Sequence, residues 1–177
     1  RLSLETGDRA TALSFLADAS KASDKDDTEA QINIANGYLM AGEVDLALEV
    51  LNAMPKGGAP GGPRDSLLLA TLLRKGDTTR LLEEAKAILA RSGKSAATRN
   101  MVGSVYSAAG KPDLAREQFT AALQFEPANV AALLSLARLD LASGGTEQAE
   151  ARLQQVIAKD PANLAATLGM ASIAGLR

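Results

Sequence analysis

The residues best suited to chemistry are carboxylates in adjacent pairs, Asp26-Asp27 and Glu83-Glu84, and a glycine-rich run, GGAPGGP, at 57–63. Neighbouring side chains on a helix point about 100° apart, so neither pair converges on one substrate atom, and both read as solvated surface. The glycine run lacks the Lys-Ser/Thr and the strand context of a phosphate loop. The chain has no His and no Cys, which removes the commonest general base, the commonest metal ligand, thiolate sites and disulfides. No catalytic residue, metal site or cofactor site is expected, and the sequence points away from an enzyme. What remains is the chemistry of Asn, Ser and Arg side chains, which donate and accept hydrogen bonds to a bound partner.

Composition narrows the partner. Net charge is -2 and no Lys/Arg run exceeds two residues. Nothing here supplies the concentrated basic surface that nucleic acid or an anionic membrane requires, and no apolar stretch is long enough to span a bilayer. Apolar residues make up 46% of the 177, yet aromatics only 3%. Ala and Leu dominate, both strong helix formers, so closely packed helices are expected rather than a sandwich or barrel.

The elements that would hold such side chains are set by a repeat. Gly42, Gly76, Gly110 and Gly144 recur every 34 residues, and Pro127 and Pro161, in EPANVAALLSLARL and DPANLAATLGMASI, share that spacing. Aligning on the glycines gives repeats at 28–61, 62–95, 96–129 and 130–163. Residues 1–27 form a partial repeat, with Gly7, Ala12 and Leu16 in the places of Gly42, Ala47 and Leu51. Residues 164–177 form the first helix of a further one. The start at RLSLETG, without Met or signal sequence, reads as a segment cut from a longer chain.

The repeat 96–129 shows the logic. Val102, Gly103 and Tyr106 lie three or four residues apart and share one helix face. Gly110 ends that helix, and Pro112 sits in the first turn of the next, where a missing N–H costs nothing. Ala115, Phe119, Ala122 and Leu123 form the second helix's apolar stripe, and Glu126-Pro127 stops it. The small Gly103 and Ala115 let the two helices approach, while Tyr106 and Phe119 fill the space at the ends. Asn129 and Asn163 read as N-caps. One hairpin cannot bury such a stripe alone, so neighbours must stack.

This pattern resembles the tetratricopeptide repeat, a 34-residue helix-turn-helix unit. Gly103, Tyr106, Ala115, Phe119, Ala122 and Pro127 stand at the family's signature places. The repeat 28–61 matches with Ala35, Tyr38, Gly42, Ala47 and Leu51, and 130–163 with Leu136, Ala137, Gly144, Ala149, Leu153 and Pro161. Departures are Arg99, in place of an aromatic residue, and the divergent repeat 62–95, where Leu81 and Ala85 invert the usual sizes. Asp140 takes the tyrosine slot, with Leu139 or Leu141 expected to fill its space. The segment MPKGGAPGGPR, 54–64, is a loop, read as a solvated connection with a hinge as the alternative.

The resemblance implies an all-α, right-handed superhelical solenoid of antiparallel helix pairs whose first helices line a concave groove. On the helical wheel the free face of those helices carries Ile32, Asn36 and Leu39; Ser66, Ala70 and Leu73; Asn100, Ser104 and Ser107; and Leu134, Arg138 and Leu141. A protein or peptide would bind there. The Lys/Asn/Arg clamp by which some relatives hold a C-terminal carboxylate is absent: Asn36 matches one position, but Ile32, Leu67, Ala97 and Met101 occupy others. The Ala/Leu-rich texture is similar to long bacterial arrays, including lipoproteins of exopolysaccharide export and of the exosortase (PEP-CTERM) sorting system. That likeness implies the periplasm or cell envelope, with the cytoplasm as the alternative. Other roles left open are the regulatory or substrate-recognition arm of a larger enzyme, and a spacer that self-associates through open solenoid ends.

Overall fold

The computed structural model describes residues 9–56, 58–92 and 94–175; Gly7 lies outside them. The described residues hold ten α-helices and no strand. The chain divides into two compact units, 1–91 and 92–177. The N-terminal unit holds α1 (Arg9–Ala22), α2 (Thr28–Met40), α3 (Val44–Ala53), α4 (Pro63–Lys75) and α5 (Thr78–Ser92). The C-terminal unit holds α6 (Ala96–Ala108), α7 (Pro112–Phe125), α8 (Val130–Ala142), α9 (Thr146–Lys159) and α10 (Leu164–Ala174). The fold is an all-α helical-repeat solenoid.

One turn recurs four times. Gly42, Gly76, Gly110 and Gly144 have φ of 83°, 77°, 69° and 81°, the left-handed conformation that a Cβ disfavours. After each, an N–H reaches back to a carbonyl of the helix just ended: Glu43 to Tyr38 at 2.8 Å, Asp77 to Leu72 at 3.1 Å, Lys111 to Tyr106 at 2.9 Å and Gly145 to Asp140 at 2.8 Å. This closes the orphaned carbonyls of the helix end and reverses the chain within a few residues. Helix starts are fixed by side chains: Asp27, Ser95, Asn129 and Asn163 accept from the N–H of Ala30, Thr98, Ala132 and Ala166. Pro63 and Pro112 open α4 and α7.

Small residues sit where helices cross. Ala35, Ala47, Ala85, Ala115 and Ala149 are wholly buried. The larger Tyr38, Leu51, Leu81, Tyr106, Phe119 and Leu153 are buried as well. In the C-terminal unit, Leu133, Ala137, Ala149, Leu153, Val156, Ala166 and Ile173 form one cluster across α8, α9 and α10. Pro127 and Pro161 are exposed in the turns after α7 and α9.

Three local expectations change. The space beside Asp140 is not filled by Leu139 or Leu141; Asp140 itself is buried, paired with Arg116 from α7 and with Arg152 from α9 at 2.7 Å. A buried carboxylate needs such partners. Arg99 does the work of the missing aromatic by donating to Gln118 Oε1 at 2.8 Å and lying 5.3 Å from the Phe125 ring centroid, a cation–π arrangement. The connection 54–64 is more than a solvated link. Met54 is buried, and buried Asp65 accepts from Gly61 N–H, Arg64 and Arg91, while Arg64 Nε and Arg91 Nη1 hold the carbonyls of Leu51 and Lys56.

Candidate functional site

The first helices of the C-terminal unit bring several predicted residues together. Ser104 and Ser107 lie one turn apart on α6, and Arg138 lies on α8. They line a cleft of about 290 Å³, completed by Ala108, Ser135, Leu139 and Phe119. Three serine hydroxyls and one guanidinium surround an apolar floor.

Phe119 reaches this floor because Gly103 has no side chain. A Cβ on Gly103 would lie 2.7 Å from Phe119 Cε1, closer than any two carbons pack. The ring therefore passes over Gly103, where the sequence pairs Gly103 with Ala115 alone. Phe119 is a packing residue that also shapes the cleft.

Asn100 and Leu134 do not line it. Asn100 donates to Asn129 Oδ1 at 2.7 Å, the same oxygen that caps α8, so it ties α6 to the start of α8. Its own Oδ1 is buried without a partner. Leu134 packs against the α8–α10 cluster, as does Leu141. Ser135 and Leu139 were missed by the wheel reading. Both lie within one turn of Arg138 on α8, so a wider arc centred on Arg138 would have included them.

In the N-terminal unit, Asn36 and Ala70 are exposed, and Ile32, Leu39, Ser66 and Leu73 half-buried. Ser66 Oγ donates to Gly61 O at 3.2 Å, an internal contact. A larger cavity of about 410 Å³ lies against the 54–64 loop, but Arg64 and Asp65 within it are engaged with each other and with the loop backbone.

Carboxylates are segregated in the C-terminal unit. Helices α7 and α9 carry Asp113, Glu117, Glu147 and Glu150, whereas the charged residues of α6, α8 and α10 are Arg99, Arg138 and the buried, paired Asp140. Arg138 is exposed, and no hydrogen bond or ion pair engages it among the described residues. No group of three or more His, Cys, Asp or Glu that could hold a metal ion occurs among the described residues, and none of their helices is long and apolar enough to cross a membrane. Burial raises the phenol pKa values of Tyr38 and Tyr106 above the ordinary 10.0, with Glu49 and Glu117 adding to the effect.

Residues 106–173 match the tetratricopeptide repeat family. No match is found among curated proteins. Solved structures share the fold: MamA at 18% identity, covering 90% of this chain and 92% of that one with a TM-score of 0.63; YrrB, described as a TPR protein with an unusual peptide-binding site, at 18%, 96% and 87% and 0.63; and TTC0263, a thermophilic TPR protein of Thermus thermophilus, at 23%, 98% and 95% and 0.63. Residues 106–173 thus carry the tetratricopeptide repeat, and the chain as a whole shares the fold of these solved structures.

Proposed function

We propose that the chain is a non-catalytic interaction scaffold that holds an extended segment of a protein partner in the cleft between α6 and α8. The observation that carries this reading is the convergence of Ser104, Ser107 and Arg138, from two successive first helices, over a floor of Phe119 and Leu139. Hydroxyls that donate and accept suit the alternating N–H and C=O of an extended backbone. A concave surface with an apolar floor and a few convergent polar groups is the usual form of a binding site. One protein of the same fold is itself described as having a peptide-binding site. The Ala/Leu-rich texture is what supports placing such a scaffold in a bacterial envelope machine for export or sorting; no single residue carries that part.

The test is selection of peptides from a displayed random library on the chain, followed by affinity measurement on Ser104→Trp, which fills the cleft from an exposed helical position. Circular dichroism establishes that the variant is folded. The expected result is a loss of at least tenfold for the selected peptides. Equal binding to both proteins, or no selected peptide, overturns the reading.

A further inference from the structure

We infer that the α6–α8 cleft recognises an acidic side chain of its peptide partner, an Asp or Glu carboxylate held by Arg138 and the serine hydroxyls. This rests on the proposed function and adds the chemistry of the ligand.

The argument begins with how the other arginines are used. Arg9, Arg64, Arg91, Arg116 and Arg152 pair with Glu43, Asp65 or Asp140. Arg80 donates to Asn52, and Arg99 donates to Gln118. Arg138, like the exposed Arg74, is left without such a partner, but Arg138 lines a cleft. Its neighbours in the cleft are Ser104, Ser107, Ser135, Phe119 and Leu139, none of them acidic. The nearest carboxylate in sequence, Asp140, is buried and committed to Arg116 and Arg152.

An unpaired guanidinium in a cleft that excludes part of the solvent attracts an anion more strongly than one on an open surface. Its planar fork fits a carboxylate with two parallel N–H···O bonds. Serine hydroxyls can donate to the same oxygens. The apolar floor takes the methylenes of the acidic residue. A single arginine matches a monoanion; phosphorylated motifs are met by clusters of arginines, and this cleft has one.

The experiment uses peptides selected on the full chain. Peptides that bind wild type are expected to share one Asp or Glu. Changing that residue to Gln or Asn is expected to weaken binding about 10- to 100-fold, the range for a hydrogen-bonded charge. Arg138→Gln should weaken the acidic peptide by a similar factor and leave the neutral peptide unchanged. Arg138→Lys, which keeps the charge and loses the fork, should fall between.

Selected peptides that lack a shared carboxylate, yet lose binding on Ser104→Trp, would overturn the acidic specificity and leave the groove reading standing. Peptides indifferent to Ser104→Trp would sink both. Tighter binding when phosphoserine replaces the acidic residue would overturn the assignment to a carboxylate. So would equal loss of acidic and neutral peptides on Arg138→Gln.

Discussion

Gly103 and Phe119 compete for the same space: a Cβ at Gly103 would stand 2.7 Å from Phe119 Cε1 and 2.9 Å from Cδ1. The absent side chain on α6 lets a ring from α7 pass over it and form the floor of the cleft beside Ser104 and Ser107. Packing and site geometry thus depend on the same pair.

Gly103→Ala is expected to destabilise by about 1–3 kcal/mol, the usual range for overpacking a filled core. Ala is the better helix former, so a loss of stability would be a packing effect. Phe119→Leu in the same chain should relieve the clash. Urea unfolding of both singles and the double should give a favourable coupling energy. Additive effects would mean that the ring does not meet position 103.

Asp140 is held from two sides, so its arginines should be partly redundant. Both arginines are partly exposed, with side-chain accessibilities of 38% for Arg116 and 28% for Arg152, and removing either alone is expected to cost no more than about 1 kcal/mol. Removing both leaves a buried carboxylate without a charged partner and should cost more than the sum of the two singles. Thermal unfolding of Arg116→Met, Arg152→Met and the double variant tests this. Strict additivity would show that Asp140 finds water instead.

These two findings mark how far the sequence could be read. The repeat glycines were legible because a left-handed turn needs residues without a Cβ, and that requirement prints the same letter every 34 positions. The caps at Asn129 and Asn163 were legible because the interaction is local, spanning three residues. The Asp140 clamp was not. Its partners lie 24 positions before and 12 after, on different helices, and long side chains reach them in ways that periodicity does not encode. The groove face was read in part. The wheel put Asn100 on the groove face with Ser104 and Ser107, when the cap of the next helix had already taken it.

Asp65 should govern the connection before α4. Its two oxygens hold Gly61 N–H, Arg64 and Arg91 at 3.0–3.1 Å, and Gly61 has φ of 78°. Asp65→Ala removes all three and leaves buried Arg64 without its carboxylate. A loss of about 3–5 kcal/mol is expected. Hydrogen exchange should show the Gly61 amide losing protection first, and limited proteolysis should cut within 54–64. If cutting is unchanged, the loop is held by Met54 and its backbone contacts rather than by the ion pairs.

The two tyrosines make alkaline pH a probe of the core. Tyr38 and Tyr106 are the chain's only tyrosines, and it has no Trp, so phenolate absorbance reports on them alone. Burial raises both pKa values above 10.0, and the carboxylates Glu49 and Glu117 raise them further by opposing a second negative charge. A folded-state pKa above the unfolded one means that the native state keeps the proton when the unfolded chain would release it. The stability from these groups is therefore fully present below about pH 10 and is lost as pH rises through the folded values. Native-state titration should show phenolate appearing above about pH 10, and stability falling across that range. Tyr106→Phe should flatten its share of the fall. Glu117→Gln should lower the Tyr106 midpoint toward the ordinary value, because one of the two causes is gone while burial remains. A native midpoint at or below the ordinary 10.0 for both rings would mean that they are more solvated than their packing against α3 and α7 implies.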